Sequence, residues 1–532
     1  MARGVVRVAA ALVATTLLAV ACTSQGPVPI RPSRPTPSPV TAAAPDVGAY
    51  SEPWRPQFHY SPLKGRMADP NGLVWFAGEW HLFHQQDGTW AHAVSTDLVH
   101  WEPLPTALDH DRLGQALSGS VVVDGANTSG LFDGVEGGGL VAVYTSTEGG
   151  EAQSLAYSSD DGRTWQRYAG NPVIPNNGRA DFRDPKVFWH EPTRSWVMVV
   201  SVGGAVELFA SPNLREWRFL SAFGDGQGLH AAVWECPDLF PLPLDGDPAR
   251  TRWVLTVSVG DNAETNGSTA QYFVGAFDGT AFTRDPATPP STVQVTDVGQ
   301  DFYAAQTFEH APGGRRIWMG WMGNWRYPYS APTAPWLNAM SIPRELSLRT
   351  IAGRATLAQA PVAELTELRE RAVTIEGLAV EGDVPVDVTS TTFEFIAEID
   401  VGDADEVGLR VRERPAGRGA LAEATAMGVD LRSGTFFLDR TEGGLATIRA
   451  RDGSDFDFAL RRTAAYSPPD GVVRLHGFVD ESSVEVFVDD GALTGTLLTF
   501  PSAGADRLSV YANGGTATLR SLTVFPLRSI WR

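Results

Sequence analysis

The sequence predicts an all-β chain whose residues 55–350 form a β-propeller of about five blades. Short apolar and aromatic runs, such as GLVWFAGEWHLFHQ and RWVLTVSV, are interrupted by Gly, Asn, Asp and Pro, which is typical of strands. Convincing helical periodicity is absent from this region. A weak repeat places Ser six residues before Trp in STDLVHW, SDDGRTW and SPNLREW, which end at Trp101, Trp165 and Trp217. Repeats of this period predict propeller blades, and about 60 residues per blade gives about five blades.

The composition predicts a folded, acidic protein and argues against nucleic acid as its partner. Of 532 residues, 43% are hydrophobic, which is enough for a sizeable core. The 42 basic and 62 acidic residues give a formal net charge of −20, which disfavours binding to phosphate backbones and electrostatic docking on anionic lipid. Sixteen tryptophans suit the faces of sugar rings, although a tryptophan-rich β core accounts for most of them.

The first 50 residues predict export. Arg3 and Arg7 precede an apolar run that ends at Ala21, so residues 1–21 are expected to be a signal peptide. Cys22 directly follows, and this junction resembles the lipobox of bacterial lipoproteins, although Ala19 stands where Leu is usual. Residues 22–50, rich in Pro, Ser and Thr, are then a lipidated tether that holds the protein at the extracellular face of the cell membrane. The alternative is plain secretion with cleavage nearby, which would leave a Cys22–Cys236 disulfide possible.

Polar residues recur about once per predicted blade, each beside an apolar strand. They are Asp69, Ser120 (with Ser118 nearby), Asp184, Glu235 and Asp301, at intervals of 51, 64, 51 and 66 residues. Because the inner strands of a propeller line one channel, the three acids Asp69, Asp184 and Glu235 are expected to converge there. Each has a simpler alternative, since RMADPNG is a turn sequence and the other two acids could sit in a turn or an ion pair.

Three converging carboxylates favour the hydrolysis of glycosides. Glycosidases use one carboxyl group as a general acid and a second as a nucleophile or general base, and the distance between them decides whether the anomeric configuration is retained. The acid needs a pKa raised by burial or by a neighbouring negative charge. A third carboxylate can hold sugar hydroxyls and stabilise the oxocarbenium-like transition state. The sequence itself does not give the distance.

The motifs around these acids resemble glycoside hydrolase family 32, the β-fructosidases (invertase, inulinase, levanase). RMADPNG is similar to the family's aspartate box, FRDPKV to its RDP box and WECPDLF to its EC box. The resemblance extends through GWMGNWRYPYSAPTAPWLNAMSIPREL to SSVEVFVDDG and YANGG, and it covers essentially everything after residue 55. It implies a five-bladed propeller followed by a C-terminal β-sandwich. The expected divisions are a catalytic propeller at 51–350, a linker at 351–372 that includes the helical candidate AQAPVAELTELRERAV, and a sandwich at 373–532.

The resemblance also implies roles for individual residues. Asp69 would be the nucleophile that attacks C2 of a terminal fructosyl unit, Glu235 the general acid and then the general base, and Asp184 the transition-state stabiliser. The substrate-binding residues that it implies are Asn71, Gln85, Trp90, Ser120, Arg183 and Trp325.

Three further positions in these motifs carry expectations. Ala68 replaces the usual Asn beside the nucleophile, so one hydrogen bond at the fructose site is expected to be lost or moved. Cys236, which follows Glu235, is expected to pack rather than react. Asp301 is expected to be structural, through a hydrogen bond that closes a blade.

The expected function is an exported, exo-acting β-fructosidase that hydrolyses terminal fructosyl units of levan- or inulin-type fructans, and sucrose, with retention. The open alternatives are a sucrose-cleaving invertase, an endo-levanase and a fructosyltransferase, which use the same acids. An alternative of another class is a non-catalytic fructan-binding lipoprotein. The histidines are scattered and no HExxH motif occurs, so we expect no metal and no cofactor. The expected partners are the fructan or sucrose substrate and, through Cys22 alone, the membrane; no nucleic acid or protein partner is predicted.

Overall fold

Residues 50–417 and 420–531 are described by a computed structural model of the chain. The predicted signal peptide, the lipidation site at Cys22 and all but the last residue of the predicted tether lie outside these residues. Among the residues that the structure describes, no helix is both long and apolar enough to cross a membrane. Helix is confined there to four short 3-10 segments, Glu191–Thr193, Pro312–Gly314, Ala363–Leu368 and Pro469–Gly471.

The first four blades of the propeller are four-stranded antiparallel units with consecutive strands as neighbours. A two-residue strand, β1 (Gly65–Arg66), precedes them. Blade 1 contains β2 (Pro70–Phe76), β3 (Glu79–Gln86), β4 (Thr89–Ser95) and β5 (Glu102–Leu108). Blade 2 contains β6 (Ala116–Asp124), β7 (Gly139–Ser146), β8 (Ala152–Ser158) and β9 (Gln166–Arg167). Blade 3 contains β10 (Phe182–His190), β11 (Ser195–Val202), β12 (Ala205–Ser211) and β13 (Arg218–Phe223). Blade 4 contains β14 (Trp234–Leu244), β15 (Asp247–Asn262), β16 (Gly267–Phe277) and β17 (Phe282–Arg284).

Blade 5 is built less regularly and closes the ring. Its strands are β18 (Tyr303–Thr307), β19 (Ile317–Met322), β20 (Trp336–Leu337), β21 (Ala339–Met340), β22 (Arg344–Ile351) and β23 (Arg354–Pro361). The order within the blade is β18-β19-β22-β23, with β21 also on β19. The short β20 instead pairs in parallel with β1. The last blade is therefore tied to the chain segment that leads into the first.

The serine–tryptophan repeat corresponds to one turn that recurs after the third strand of blades 1 to 3. In each blade the indole N–H of the tryptophan donates to the carbonyl three residues earlier. These bonds join Trp101 to Leu98, Trp165 to Gly162 and Trp217 to Leu214, at 3.1, 3.0 and 2.8 Å. The repeat is thus a local hydrogen-bonded turn, which explains why it marks blade spacing without marking function.

The C-terminal β-sandwich follows a short connection. The order of its main strands is β31-β28-β27-β26-β35-β25-β32-β33-β34, with β24 also on β35 and with β29–β30 as a separate hairpin. The strands are β24 (Val373–Thr389), β25 (Phe393–Asp400), β26 (Glu406–Gly417), β27 (Ala420–Asp430), β28 (Thr435–Glu442), β29 (Thr447–Arg449), β30 (Asp455–Asp457), β31 (Arg461–Ala465), β32 (Val472–Val479), β33 (Ser483–Val488), β34 (Leu493–Leu498) and β35 (Arg507–Pro526). Alternate residues of these strands form one large core, for example Val407, Leu409 and Val411 on β26.

The segment predicted as a linker, 351–372, is more ordered than the sequence suggested. Strand β23 occupies Arg354–Pro361 and pairs along its whole length with β22, so the fifth blade continues into this segment. Within the helical candidate AQAPVAELTELRERAV only Ala363–Leu368 is helical, as a 3-10 helix, and the first four residues belong to β23. Leu365 and Leu368 of that helix are buried in a core shared with blade 1, which anchors the connection to the propeller.

Two buried polar networks join the propeller to the sandwich. In the first, His59 contacts Asp480 through Nδ1 and Glu485 through Nε2, both at 2.7 Å, and Arg344 also donates to Glu485. In the second, Asp301 accepts from Tyr327 at 2.5 Å and from Arg440 at 2.7 Å. The structural role expected of Asp301 agrees with these bonds, but one of its partners is a sandwich residue. The bonds fix the two domains to each other.

The first network predicts a bell-shaped dependence of stability on pH. Burial alone would lower the pKa of His59, but its two carboxylate partners raise the pKa to about 9. Burial alone would raise the pKa of Glu485, but Arg344 and His59 lower it to about 2. The contribution of His59 to the free energy of unfolding is complete below about pH 6.5 and is lost as pH rises through about 9. The contribution of Glu485 is complete above about pH 4.5 and is lost as pH falls through about 2.

We therefore expect the network to stabilise the fold most between about pH 4.5 and 6.5. The measurement is the melting temperature of the wild type and of His59→Gln across pH 3–10. The gap between the two proteins should shrink above about pH 6.5. A gap that stays constant to pH 10 would contradict the assignment of a charged histidine.

Candidate active site

The segment RMADPNG directs Asp69 into the channel at the start of the first inner strand, β2. Backbone bonds hold both sides of it, since Ala68 N donates to Gln85 O and Gln85 N donates to Asp69 O, at 3.0 and 2.9 Å. Oδ2 of Asp69 accepts from the Ser118 hydroxyl at 2.8 Å. Oδ1 is buried and has no hydrogen-bond partner among the described residues. Burial, and then the charge of Glu235, raise the pKa of Asp69 to about 6.

Asp184 is placed by a strained turn of the backbone at the start of β10. Its φ is 66°, in the left-handed region that non-glycine residues rarely adopt, and the strand register shifts between Arg183 and Lys186. Its N–H donates to Thr145 Oγ1 at 3.0 Å, and its Oδ2 accepts from the Cys236 N–H at 2.9 Å. Burial raises the pKa of Asp184, while the adjacent Arg183 acts against that rise. Strain of this kind concentrates at functional sites.

Glu235, at the start of β14, is held through both of its oxygens. Oε1 accepts from Arg183 Nη2 at 2.9 Å and from Nε at 3.2 Å, and Oε2 accepts from the Tyr303 hydroxyl at 2.5 Å. Arg183 in turn contacts Glu151 at 3.0 Å and Asp181 at 2.8 Å. The carboxyl group is therefore fixed in orientation, as a group that must give a proton to a defined atom needs to be.

Cys236 lies between the acids and packs against two of them. Its sulfur is 3.6 Å from Oδ2 of Asp69 and 3.6 Å from Oδ2 of Asp184. Burial, followed by the surrounding negative charges, raises the pKa of the thiol well above its ordinary value. A thiol held in its neutral form is a weak nucleophile, which agrees with the packing role that the sequence suggested.

The inner strands of the five blades share one irregularity at the site. Each has a β-bulge near its first residues, at Asn71/Val74, Leu117/Gly119, Arg183/Lys186, Glu235/Asp238 and Tyr303/Gln306. In three of them a non-glycine residue has a positive φ, namely Asp184, Cys236 and Ala304. A bulge bends a strand and re-aims its side chains. The bulges explain how Asp69, Asp184 and Glu235, which are 115 and 51 positions apart in sequence, come to face one cavity.

The cavity that these residues face has a volume of about 330 Å³. Of the residues predicted for the site, it is lined by Asp69, Gln85, Arg183, Asp184, Glu235 and Trp325. Ala68 also lies on the wall, where its small side chain leaves open the space that an asparagine would occupy.

Three predicted binding residues lie behind the wall instead. Trp90 is fully buried and its indole N–H donates to Leu117 O at 2.9 Å. Ser120 links blades 2 and 3 by donating to Pro185 O and accepting from Val187 N, at 2.8 and 2.9 Å. Asn71 is fully buried beside Ser118 and Gln85. In the structure these three residues support the wall of the cavity rather than line it.

Several residues of the site were not predicted from the sequence. Ser118 rather than Ser120 contacts Asp69, because the bulge between Leu117 and Gly119 turns that part of the strand toward the cavity. Tyr303 contacts Glu235 and lies in the segment DFYAAQTF, in which only Asp301 was singled out from the sequence. The charged residues Arg66 and Asp87 line the mouth, and no sequence signal pointed to them.

Models of one protein family match nearly the whole described chain. Residues 59–361 match the model of the glycosyl hydrolases family 32 N-terminal domain, and residues 364–526 match the family 32 C-terminal model. The chain is 45% identical to a levanase of Bacillus subtilis over 92% of its own length and 73% of the relative's. It is 32% identical to invertase 2 of Saccharomyces cerevisiae, over 90% and 95%. The crystal structure of an exo-inulinase from Aspergillus awamori superposes with a TM-score of 0.82 at 37% identity, covering 91% of this chain and all of that one.

Proposed function

The chain belongs to glycosyl hydrolase family 32 and is a glycoside hydrolase that acts on fructans. We propose that it removes single fructosyl units from the ends of levan- or inulin-type chains and from sucrose, with retention of configuration. The observation that carries the proposal is the meeting of Asp69, Asp184 and Glu235 in one cavity of about 330 Å³. The modest size of that cavity favours attack on a chain end over attack within a polymer.

In the proposed reaction Asp69 attacks C2 of the terminal fructosyl unit. The bond between C2 and the leaving oxygen breaks as Glu235 gives that oxygen its proton, which leaves a fructosyl-enzyme ester. Glu235, now ionised, takes a proton from water, the water oxygen attacks C2, and the ester breaks to restore Asp69. Asp184 lies beside Asp69 and is held by the Cys236 N–H, so its charge is placed to stabilise the positive charge that develops on the sugar ring.

The test is analysis of products from levan, inulin and sucrose, each incubated with the protein and sampled over time. Free fructose without an intermediate oligosaccharide ladder is expected from both polymers. An early ladder would favour an endo-levanase, longer products a fructosyltransferase, and cleavage of sucrose alone an invertase, an activity that one of the relatives is named for. Binding without any product would identify a fructan-binding protein, which the presence of all three acids argues against.

The raised pKa of Asp69 predicts an acidic limit to activity. Because the nucleophile must be ionised, kcat/KM is expected to fall as pH drops through about 6. The hydrogen bond from Ser118 lowers this pKa, so Ser118→Ala should move the limit to higher pH by about one unit. The measurement is kcat/KM on sucrose from pH 4 to 8, with Gln115→Ala as a control that changes the cavity wall without touching Asp69. An unmoved limit in Ser118→Ala would show that another group sets it.

We also propose that the protein is exported and carried on the membrane by a lipid at Cys22. The apolar run before Cys22 supports this location. In a bacterial host that processes lipoproteins, the wild type is expected in the membrane fraction and Cys22→Ser in the soluble exported fraction. Activity in the soluble fraction for both proteins would indicate plain secretion.

A further inference from the structure

A second cavity, separate from the acid cluster, lies on the outer face of the β-sandwich. Its volume is about 310 Å³, close to that of the propeller cavity, and its lining comes from the adjacent strands β31, β28, β27, β26 and β35. Core residues such as Val407 and Leu409 of β26 face inward, whereas Glu406 and Arg410 of the same strand line the cavity. The position is rigid because regular strands supply its polar groups.

The cavity is walled by charged side chains that hold one another in place. Arg461 bonds to Glu406 at 3.0 Å and lies 3.5 Å from Asp439, and Arg410 stacks over the ring of Tyr511 at 3.8 Å. The small side chain of Ala426 leaves room between these walls. Paired guanidinium and carboxylate groups on a rigid surface are suited to bind the hydroxyl groups of a sugar, since both donors and acceptors face the same space.

The charges argue for a neutral ligand. Two guanidinium groups and three carboxylates line the cavity, so a phosphate or another anion would meet net repulsion. The face of Tyr511 is covered by Arg410, and the ring of Phe437 is covered by Arg461 at 3.6 Å. With both rings covered, the cavity favours recognition of hydroxyl groups on one sugar unit over stacking along a flat chain.

We propose that this cavity is a non-catalytic binding site for a fructosyl unit of the polymer on which the enzyme acts, an inference that rests on the proposed function. A polymer bound at the sandwich is held at a fixed distance from the propeller cavity, because the buried networks at His59 and Asp301 fix one domain to the other. Two linked sites raise the effective concentration of a long substrate at the catalytic one. Sucrose is too small to gain from this effect.

The expected result is a loss confined to polymers. Ala426→Phe fills the cavity and Arg461→Gln removes its central guanidinium; each is expected to raise KM for levan about tenfold and leave kcat and KM for sucrose unchanged. Ala465→Phe is the matched control, because Ala465 is exposed on β31, lies outside the cavity, and receives the same substitution. Normal sucrose kinetics show that each variant is folded.

Binding is measured directly by calorimetric titration with a levan-derived trisaccharide, in chains that also carry Glu235→Gln so that the ligand is not consumed. Two sites are expected in the parent and in the Ala465→Phe chain, and one site in the Ala426→Phe chain. A single site in the parent, or equal levan kinetics in all variants, would overturn this inference and leave the proposed function standing. Failure of the wild type to cleave levan would instead refute the proposed function.

Discussion

Replacement of Glu235 by Gln is expected to lower kcat on fructans and on sucrose by about 10²- to 10⁴-fold with no loss of folded protein. The amide keeps the size of the side chain: its oxygen can still accept from Arg183, and its NH2 group can donate to the Tyr303 hydroxyl oxygen. It cannot, however, give a proton to the leaving oxygen or take one from water. Both halves of the proposed reaction therefore slow.

Added azide separates a missing acid–base group from a damaged site. Azide attacks the fructosyl-enzyme without general-base help, so it should restore turnover of Glu235→Gln on a substrate with a good leaving group, with fructosyl azide as product. Glu151→Gln is the matched control, since Glu151 also pairs with Arg183, at 3.0 Å, but does not line the cavity. A Glu235→Gln protein with near-normal activity would refute the assignment.

The sequence was sufficient to predict the fold class and the three acids, because both depend on short-range patterns. Strand alternation and turn residues mark blades, and the acids stand in short motifs at blade spacing. The exact lining of the cavity depends on features without such a pattern. Ser118 and Ser120 are two residues apart on one strand and look equivalent in sequence, yet the bulge beside Gly119 gives them different neighbours.

Long-range contacts account for the other differences between expectation and structure. Tyr303 reaches Glu235 from another blade, 68 residues away in the chain, and nothing local to either residue announces the bond. Trp90 was expected to contact sugar because the family resemblance implied it, but the packing between blades 1 and 2 buries it completely. Blade-to-blade packing is a tertiary property that spacing along the chain does not report.

Replacement of Asp69 by Asn is expected to remove activity and to stabilise the protein at the same time. Loss of the nucleophile should lower kcat by at least about 10⁴-fold. The pKa of Asp69 in the folded protein, about 6, lies above the value of about 3.8 for an unburied aspartate, so above about pH 6 the fold bears the whole cost of keeping this charge. Although Oδ1 of Asp69 is buried, the residue as a whole keeps some exposure to solvent, so the gain at pH 7 should be smaller than the full pKa shift implies, about 1–2 kcal/mol.

Asp301→Asn makes the same chemical change at a carboxylate that is paired rather than repelled, and the opposite result is expected. Asp301 accepts from the buried Arg440 at 2.7 Å, so its loss leaves an uncompensated charge between the two domains and should cost about 3–5 kcal/mol. The measurement is the unfolding free energy of both variants and the wild type at pH 7 and pH 4. The advantage of Asp69→Asn should nearly disappear at pH 4, where the wild-type carboxyl is largely protonated. If Asp69→Asn were instead less stable than the wild type at pH 7, the cavity would not be holding its nucleophile at a cost to the fold, and the raised pKa on which the acidic activity limit rests would be wrong.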